Sequence, residues 1–229
     1  MRELSKKIFF IILSSSLFVS DSIVAAFFRR IMYILLLNRL GKASVKDIHG
    51  FLWRCNFSIR GKNNKIEIHN KTMLFKCRLE IRGSNNTLEI GKECIFGEVL
   101  WGLRDNGSVV KIGDRTQGLS DTFCAMEGRK VEVGEDTLFS YRVEVRNTDS
   151  HSIIDKSGKR TNSAEDVFIG NHVWIAQDSL ILKGSYIPDN SIVGAKSLVN
   201  KKFTEEGSIL VGTPAKALKS GYNWTKQRQ

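Results

Sequence analysis

The chain has 229 residues, enough for one or two domains and ample for a single core. Its formal charge of +11 implies attraction to an anion, whether nucleic acid, anionic lipid, a phosphorylated cofactor or an acidic polymer. Nucleic acid is set aside, because no DNA- or RNA-binding motif occurs and the basic residues do not interleave with aromatics.

Residues 1–47 differ from everything after them. Lys6-Lys7 precede an apolar stretch from Ile8 to Phe28, interrupted by Asp21 and by Ser14-Ser15-Ser16. Arg29-Arg30 follow, and apolar sequence resumes from Ile31 to Leu37. The lack of a small-x-small cleavage site argues against a signal peptide, and the interruptions argue against a clean spanning helix. The segment reads as one or two helices. They either cap the domain that follows or lie on a membrane face with the arginines among the headgroups.

Self-similarity begins after residue 47. Ile59-Arg-Gly-Lys-Asn-Asn-Lys-Ile-Glu-Ile68 returns 22 residues later as Ile81-Arg-Gly-Ser-Asn-Asn-Thr-Leu-Glu-Ile90, and Leu103 to Ile112 is a weaker third copy. Repeats of this length mean stacked coils that each bury an apolar face on the next. Gly61, Gly83 and the Asn pairs suit corners, since Gly and Asn tolerate left-handed backbone angles. Cys55, Cys77, Cys94 and Cys124 contain no Cys-x-x-Cys and no metal spacing. They read as small core hydrophobes of successive coils in a reducing compartment.

Val133, Phe139 and Val145 then keep a six-residue step, which breaks and restarts as Ile169, Ile175, Ile181, Ile187, Val193 and Val199. Four residues after each of the first five come Val173, Ser179, Ser185, Ser191 and Ser197. A helix repeats near 3.6 and a strand at 2, so a strict period of 6 predicts short strands joined by tight corners, the hexapeptide pattern of a parallel β-helix. The expected organisation is an N-terminal helical segment at 1–47, an all-β solenoid at 48–216 with an extruded loop at 148–166, and a C-terminal tail at 217–229.

The break in the beat is where chemistry is expected, because a polar loop on a rigid scaffold is a usual seat of function. It reads Arg146-Asn-Thr-Asp-Ser-His151 and continues through Asp155 to Asp166. His151 is its one histidine, and a neutral imidazole suits a general base for a hydroxyl nucleophile. Asp149 or Asp155 is expected to fix its tautomer. His69, His151 and His172 lack the short spacing of a solenoid zinc site, so no metal is expected. Trp174 stands at the outward-leaning place of its hexapeptide.

Asp166-Val-Phe-Ile-Gly-Asn-His-Val-Trp-Ile-Ala176, the hexapeptides after it, Ile192-Val-Gly-Ala195 and Val211-Gly-Thr-Pro-Ala-Lys216 resemble the left-handed β-helix acyltransferases. The pairing of Arg146-Asn-Thr-Asp-Ser-His151 with Asn171-His-Val-Trp174 resembles more narrowly the O-acetyltransferases of sialic-acid-containing capsular polysaccharides and their relatives on other surface glycans. The close resemblance covers about residues 141–224.

The resemblance implies a left-handed coil, acetyl-CoA as donor, and a homotrimer with the donor in the groove between subunits. It implies His151 as catalytic base and Trp174 as an active-site wall that also meets the acceptor. Arg146, Asn147 and Asp149 are the further acceptor-binding candidates. Ala176, Gly194, Ala195, Lys201, Lys202, Thr213, Pro214 and Lys216 fall where the family holds CoA. Ala176 stands where the family often has Gly, and Thr213 where it often has Asn. The implied activity is O-acetylation of a bacterial surface polysaccharide, on the cytoplasmic side or at the inner face of the membrane. The alternatives are N-acetylation of a nucleotide-linked amino sugar and, more remotely, a zinc-dependent or non-enzymatic solenoid protein.

Overall fold

A computed structural model describes residues 45–227. Residues 1–44 of the expected helical segment lie outside the described residues, and its last three, 45–47, are strand instead of helix, so the solenoid begins at Val45 and not at 48.

The described chain winds as seven turns, each contributing one strand to each of three parallel sheets. Turn one is β1 (Val45–Ile48), β2 (Phe51–Trp53) and β3 (Asn56–Arg60); turn two is β4 (Lys65–Ile68), β5 (Met73–Phe75) and β6 (Arg78–Arg82). Turn three is β7 (Thr87–Ile90), β8 (Ile95–Gly97) and β9 (Leu100–Arg104); turn four is β10 (Val109–Ile112), β11 (Gln117–Leu119) and β12 (Thr122–Ala125). Turn five is β13 (Lys130–Val133), β14 (Leu138–Tyr141) and β15 (Glu144–Arg146). After the loop, turn six is β16 (Val167–Ile169), β17 (Trp174–Ile175) and β18 (Leu180–Ile181), and turn seven is β19 (Tyr186–Ile187), β20 (Ile192–Val193) and β21 (Leu198–Val199). First strands stack as sheet A, second strands as sheet B and third strands as sheet C. β22 (Ile209–Gly212) extends sheet B, and β23 (Ala215–Lys219) folds back antiparallel on it.

The six-residue beat maps one residue to one face. Ile169, Ile175, Ile181, Ile187, Val193 and Val199 take sheets A, B, C, A, B and C in turn, and all are buried. The small residues of the beat fill the corners. Ser179 donates to the carbonyl of Ala176 at 2.7 Å and Ser185 to that of Val199 at 3.0 Å, so each buried hydroxyl is satisfied. Cys77, Cys94 and Cys124 are buried free thiols, as small core residues should be, while Cys55 is half-buried.

The corners hold one departure from expectation. Gly61 and Gly83 do sit at φ +113 and +131, and a Cβ on Gly83 would lie 1.7 Å from the Asp105 carbonyl oxygen, so only glycine fits. Yet the other two edges of the prism put charged residues into left-handed backbone, including Lys76, Glu98, Arg142 and Asp178 at φ 54 to 60. Turn-to-turn bonds over-determine these corners; Lys76 N–H, for example, donates to the Trp53 carbonyl at 2.7 Å. Their side chains stack as ion pairs, Lys76 with Glu98 and Arg142 with Asp178.

Candidate active site

The loop between β15 and β16 lies along the prism edge where sheet C passes into sheet A. It is fastened at its base, middle and side. At the base, Asn147 accepts from Met126 N–H at 3.0 Å and donates to the Met126 carbonyl at 3.1 Å. In the middle, Asn162 donates to the His151 carbonyl and to Asp149 Oδ2, both at 2.8 Å, and accepts from Ile153 N–H at 2.7 Å. Arg160 grips Glu127 with two bonds of 2.8 Å, the planar fork that suits a carboxylate. At the side, Lys183 reaches Asp149 Oδ2 at 2.6 Å from the corner after β18.

Electrostatics follow these contacts. The Arg160 guanidinium, opposed by partial burial and helped by Thr148, holds the Glu127 carboxyl down at about 2. The Lys183 ammonium and the Asn162 amide likewise keep Asp149 below the ordinary carboxylate range. Both groups are therefore anions at neutral pH, and the loop is pinned by charge from the corners on either side of it, those of turns four and six.

His151 rides on this pinned backbone with its side chain exposed. Among the described residues its imidazole makes no hydrogen bond. The expected orienting partners are engaged elsewhere. Asp149 is paired with Lys183 and Asn162, and Asp155 caps its own turn through Ser157 and Lys159. A second correction concerns Asn147, expected to touch the acceptor. It is fully buried with its amide spent on Met126, so its contacts are those of a loop anchor. Arg146 pairs with Glu144 on the outer face of sheet C, and its Nε is buried without a partner.

Trp174 opens β17 beside a different edge, where sheet A passes into sheet B. Its indole is half-buried on the outer face, with Nε1 donating to Ser140 Oγ at 3.2 Å. One chain thus carries His151 and Trp174 on two edges with sheet A between them, and it does not bring them together.

The residues expected to hold CoA divide into two groups. Ala176 and Gly194 are stacked near the third edge, since Ala176 N–H donates to the Val193 carbonyl and Gly194 N–H to that of Leu210. Thr213 joins them there by a 3.2 Å bond to the Lys196 carbonyl, next to the cis Thr213–Pro214 peptide and the exposed Ala195. Lys201, Lys202 and Lys216 instead line a cleft of about 340 Å³ at the end of the solenoid, together with Phe203, Thr204, Ser208, Ala217 and one carboxylate, Glu205. Three ammonium groups around one cleft are the donor chemistry that phosphates require.

Sequence reasoning missed the fastening residues Glu127, Arg160, Asn162 and Lys183, because their partners are distant in sequence. It also passed over Trp224. This indole stacks on the His172 ring at 4.5 Å between centroids and 11° between planes, and it lies 6.3 Å from Trp174. A tryptophan in an otherwise polar terminal stretch was the signal available.

The fold and the site define an architecture: a three-sided parallel β-solenoid carrying a histidine on an inserted loop. No protein-family profile matches the sequence. Over 70 residues, 30% of this chain, it is 41% identical to the polysialic acid O-acetyltransferase of Neisseria meningitidis. That stretch spans 32% of the relative, about a third of its length. Among solved structures, the polysialic acid O-acetyltransferase OatWY superposes with a TM-score of 0.77 at 27% identity, over 81% of this chain and 88% of that one. The polySia-specific acetyltransferase NeuO follows with a TM-score of 0.68 at 28% identity, covering 80% and 82%. The relatives of this chain are therefore named as acetyltransferases, among them those of polysialic acid.

Proposed function

We propose that this chain is an acetyl-CoA-dependent O-acetyltransferase of an anionic surface glycan, acting on the cytoplasmic side as a homotrimer. The observation that carries the reading is His151, an unpartnered imidazole held out from a loop whose backbone is fixed on every side. His151 removes the proton of a sugar hydroxyl as that oxygen attacks the acetyl carbonyl carbon. The carbon–sulfur bond then breaks, and His151 returns the proton to the departing CoA sulfur. No covalent enzyme intermediate is needed, so neither an activated serine nor a cysteine is required. Holding thioester and hydroxyl together supplies much of the rate.

Two features support assembly from several copies. The catalytic candidates stand on separate edges, so the edge bearing Trp174 in one subunit has to meet the His151 loop of another to complete a site. The tip of that loop also carries the exposed pair Ile153 and Ile154, 60% and 63% accessible, which a neighbouring subunit would cover. The lysine cleft suits the phosphates of CoA, and the Ala176–Gly194 face suits its uncharged arm.

The anionic acceptor is supported by a row on sheet C. Arg60 pairs in register with Arg82, and Arg82 with Arg104. All three are exposed. Strands in register lie about 4.8 Å apart, so the row is a regular line of positive charge running toward the turn that anchors the loop. Such a line suits repeated charges on a polymer better than a single small anion.

The test is transfer of labelled acetyl groups from acetyl-CoA to polysialylated glycan, neutral glycan and a nucleotide-linked amino sugar, from low to high salt. Preference for the polysialylated glycan that fades with salt supports the reading. Preference for a neutral glycan at every salt removes the anionic part, and exclusive transfer to the amino sugar replaces O-acetylation with N-acetylation.

A further inference from the structure

Residues 220–227 leave β23 and return to the edge between sheets A and B, where the contacts concentrate on one residue of the solenoid. His172 Nδ1 lies 2.7 Å from Asp136 Oδ2, and its Nε2 lies 3.1 Å from the Trp224 carbonyl oxygen. The Trp224 indole stacks on the imidazole, and its Nε1–H donates back to the His172 carbonyl at 2.7 Å. Lys226 Nζ closes the arrangement on Asp136 Oδ1 at 2.7 Å. Fixing a terminal segment costs backbone entropy at every residue, so this one stays in place only through such contacts.

We infer that this segment is a clasp that sets Trp224 beside Trp174 as the second wall of the acceptor subsite. The inference rests on the acetyl transfer to glycan proposed above. The two indoles are tilted by 43° with centroids 6.3 Å apart, so they form an open notch and do not stack on each other. Both are half-buried and keep surface toward solvent. Sugars present C–H faces that pack on aromatic rings, and a notch of two indoles grips one ring from two sides. Trp224 is then a specificity-determining residue of this site, and His172 is a positioning residue that acts through it.

Both ring nitrogens of His172 face acceptor oxygens. A carboxylate oxygen and a peptide carbonyl oxygen both only accept, so both ring nitrogens must carry protons for both bonds to form. A neutral ring keeps one bond and loses the other. The charged groups facing His172 are Asp136, from the corner between β13 and β14, and Lys226, from the clasp. Glu135 beside them is taken up by Arg115, and Asp189 on the next turn by Asn171. Burial pulls the Asp136 carboxyl up, but bonds from Lys226 and His172 outweigh it and leave its pKa below the ordinary value. Asp136 therefore stays an anion at neutral pH and anchors both Lys226 and the His172 ring.

The experiment measures KM for glycan and for acetyl-CoA, with Tm, in the wild type, Trp224→Ala, Trp224→Phe and His172→Asn. Asn tolerates the left-handed backbone at position 172, where φ is +51, so the corner survives. Trp224→Ala is expected to raise the glycan KM about tenfold, leaving the acetyl-CoA KM within about twofold and Tm within about 2 °C. Trp224→Phe keeps the stack and is expected to recover part of the loss. His172→Asn removes the ring under Trp224 and is expected to raise the glycan KM in the same direction, with the acetyl-CoA KM unchanged. An unchanged glycan KM in Trp224→Ala overturns the clasp, as does a parallel rise in both KM values, which marks a structural role alone. If the wild type transfers acetyl to no glycan, the acetyltransfer reading fails first and the clasp falls with it. If the wild type transfers and Trp224→Ala equals it, the clasp alone fails.

Discussion

Turns one to five and turns six to seven solve the same packing problem differently. In the first region partners in register lie 22 residues apart, as Ile59 with Ile81; in the second they lie 18 apart, as Ile175 with Val193. The extra residues widen the corner between sheets C and A. Asn64, Asn86 and Ser108 are buried there in a ladder in which Asn86 N–H donates to Asn64 Oδ1 and Ser108 N–H to Asn86 Oδ1. The wider coil admits aromatic rings. Trp101 stacks on Phe123 at 4.7 Å, with Phe96 and Phe139 edge-on around them. The narrow coil holds only one aliphatic side chain per sheet. The inserted loop falls at the junction, where the register step becomes 36, as from Phe139 to Ile175. Neither core has to deform to carry the loop, since regular solenoid continues on both sides.

Removing the histidine of the junction loop is expected to have the largest effect. His151→Ala should lower kcat by about 10²–10⁴-fold while Tm and acetyl-CoA binding hold, because the side chain is exposed and makes no hydrogen bond among the described residues. Loss of folding in that variant would make the loop part of the scaffold and erase the distinction between scaffold and insertion.

The two cores should differ next. Trp101→Ala empties the aromatic cluster and is expected to cost about 3–5 kcal/mol in denaturant unfolding; Ile181→Val in the narrow coil is expected to cost about 0.5–1.5 kcal/mol. Equal losses, corrected for the atoms removed, would mean that the two coils are packed alike.

A smaller effect is expected at Asp121, a carboxyl buried at the corner between sheets B and C of the wide region. It is 2% accessible, and burial raises its pKa to about 7 against bonds from the Val143 and Leu119 backbone. Its Oδ2 has no partner. The unfolded chain releases this proton near pH 4 and the folded chain only near 7, so stability falls as pH rises through that window. The fall is at most roughly 4 kcal/mol. Asp121→Asn carries no titrating proton, so its Tm should lack this decline between pH 5 and 8. An identical decline in both proteins would assign the pH dependence to other groups.

Much of the solenoid was legible in the sequence because its rule is local. One aliphatic residue every six and one serine four places later fix strand, corner and inward face together, from Ile169 to Val199. The 22-residue copies were legible for the same reason, through Gly61 and Gly83. What did not show was whatever depends on contact between turns. Lys76, Glu98 and Arg142 occupy left-handed corners that sequence rules reserve for Gly or Asn, and only stacking against the previous turn explains them. His151 and Trp174 stood out by residue type and place. Asn147 drew attention as a polar neighbour of the histidine, yet its contact with Met126, 21 residues upstream, makes it an anchor. Trp224 meets His172 across 52 residues, a separation no motif spans.

The central claim is that the site needs His151 from one subunit and Trp174 from another. Its most direct test is co-expression of His151→Ala and Trp174→Ala chains, each nearly inactive alone, followed by assay of the mixed oligomers. Random assortment in a symmetric ring leaves about a quarter of the interfaces with both native residues, so about a quarter of wild-type turnover should return. Turnover that stays at the level of the separate variants would contradict the account, because the two residues would then be acting within one chain or not at all.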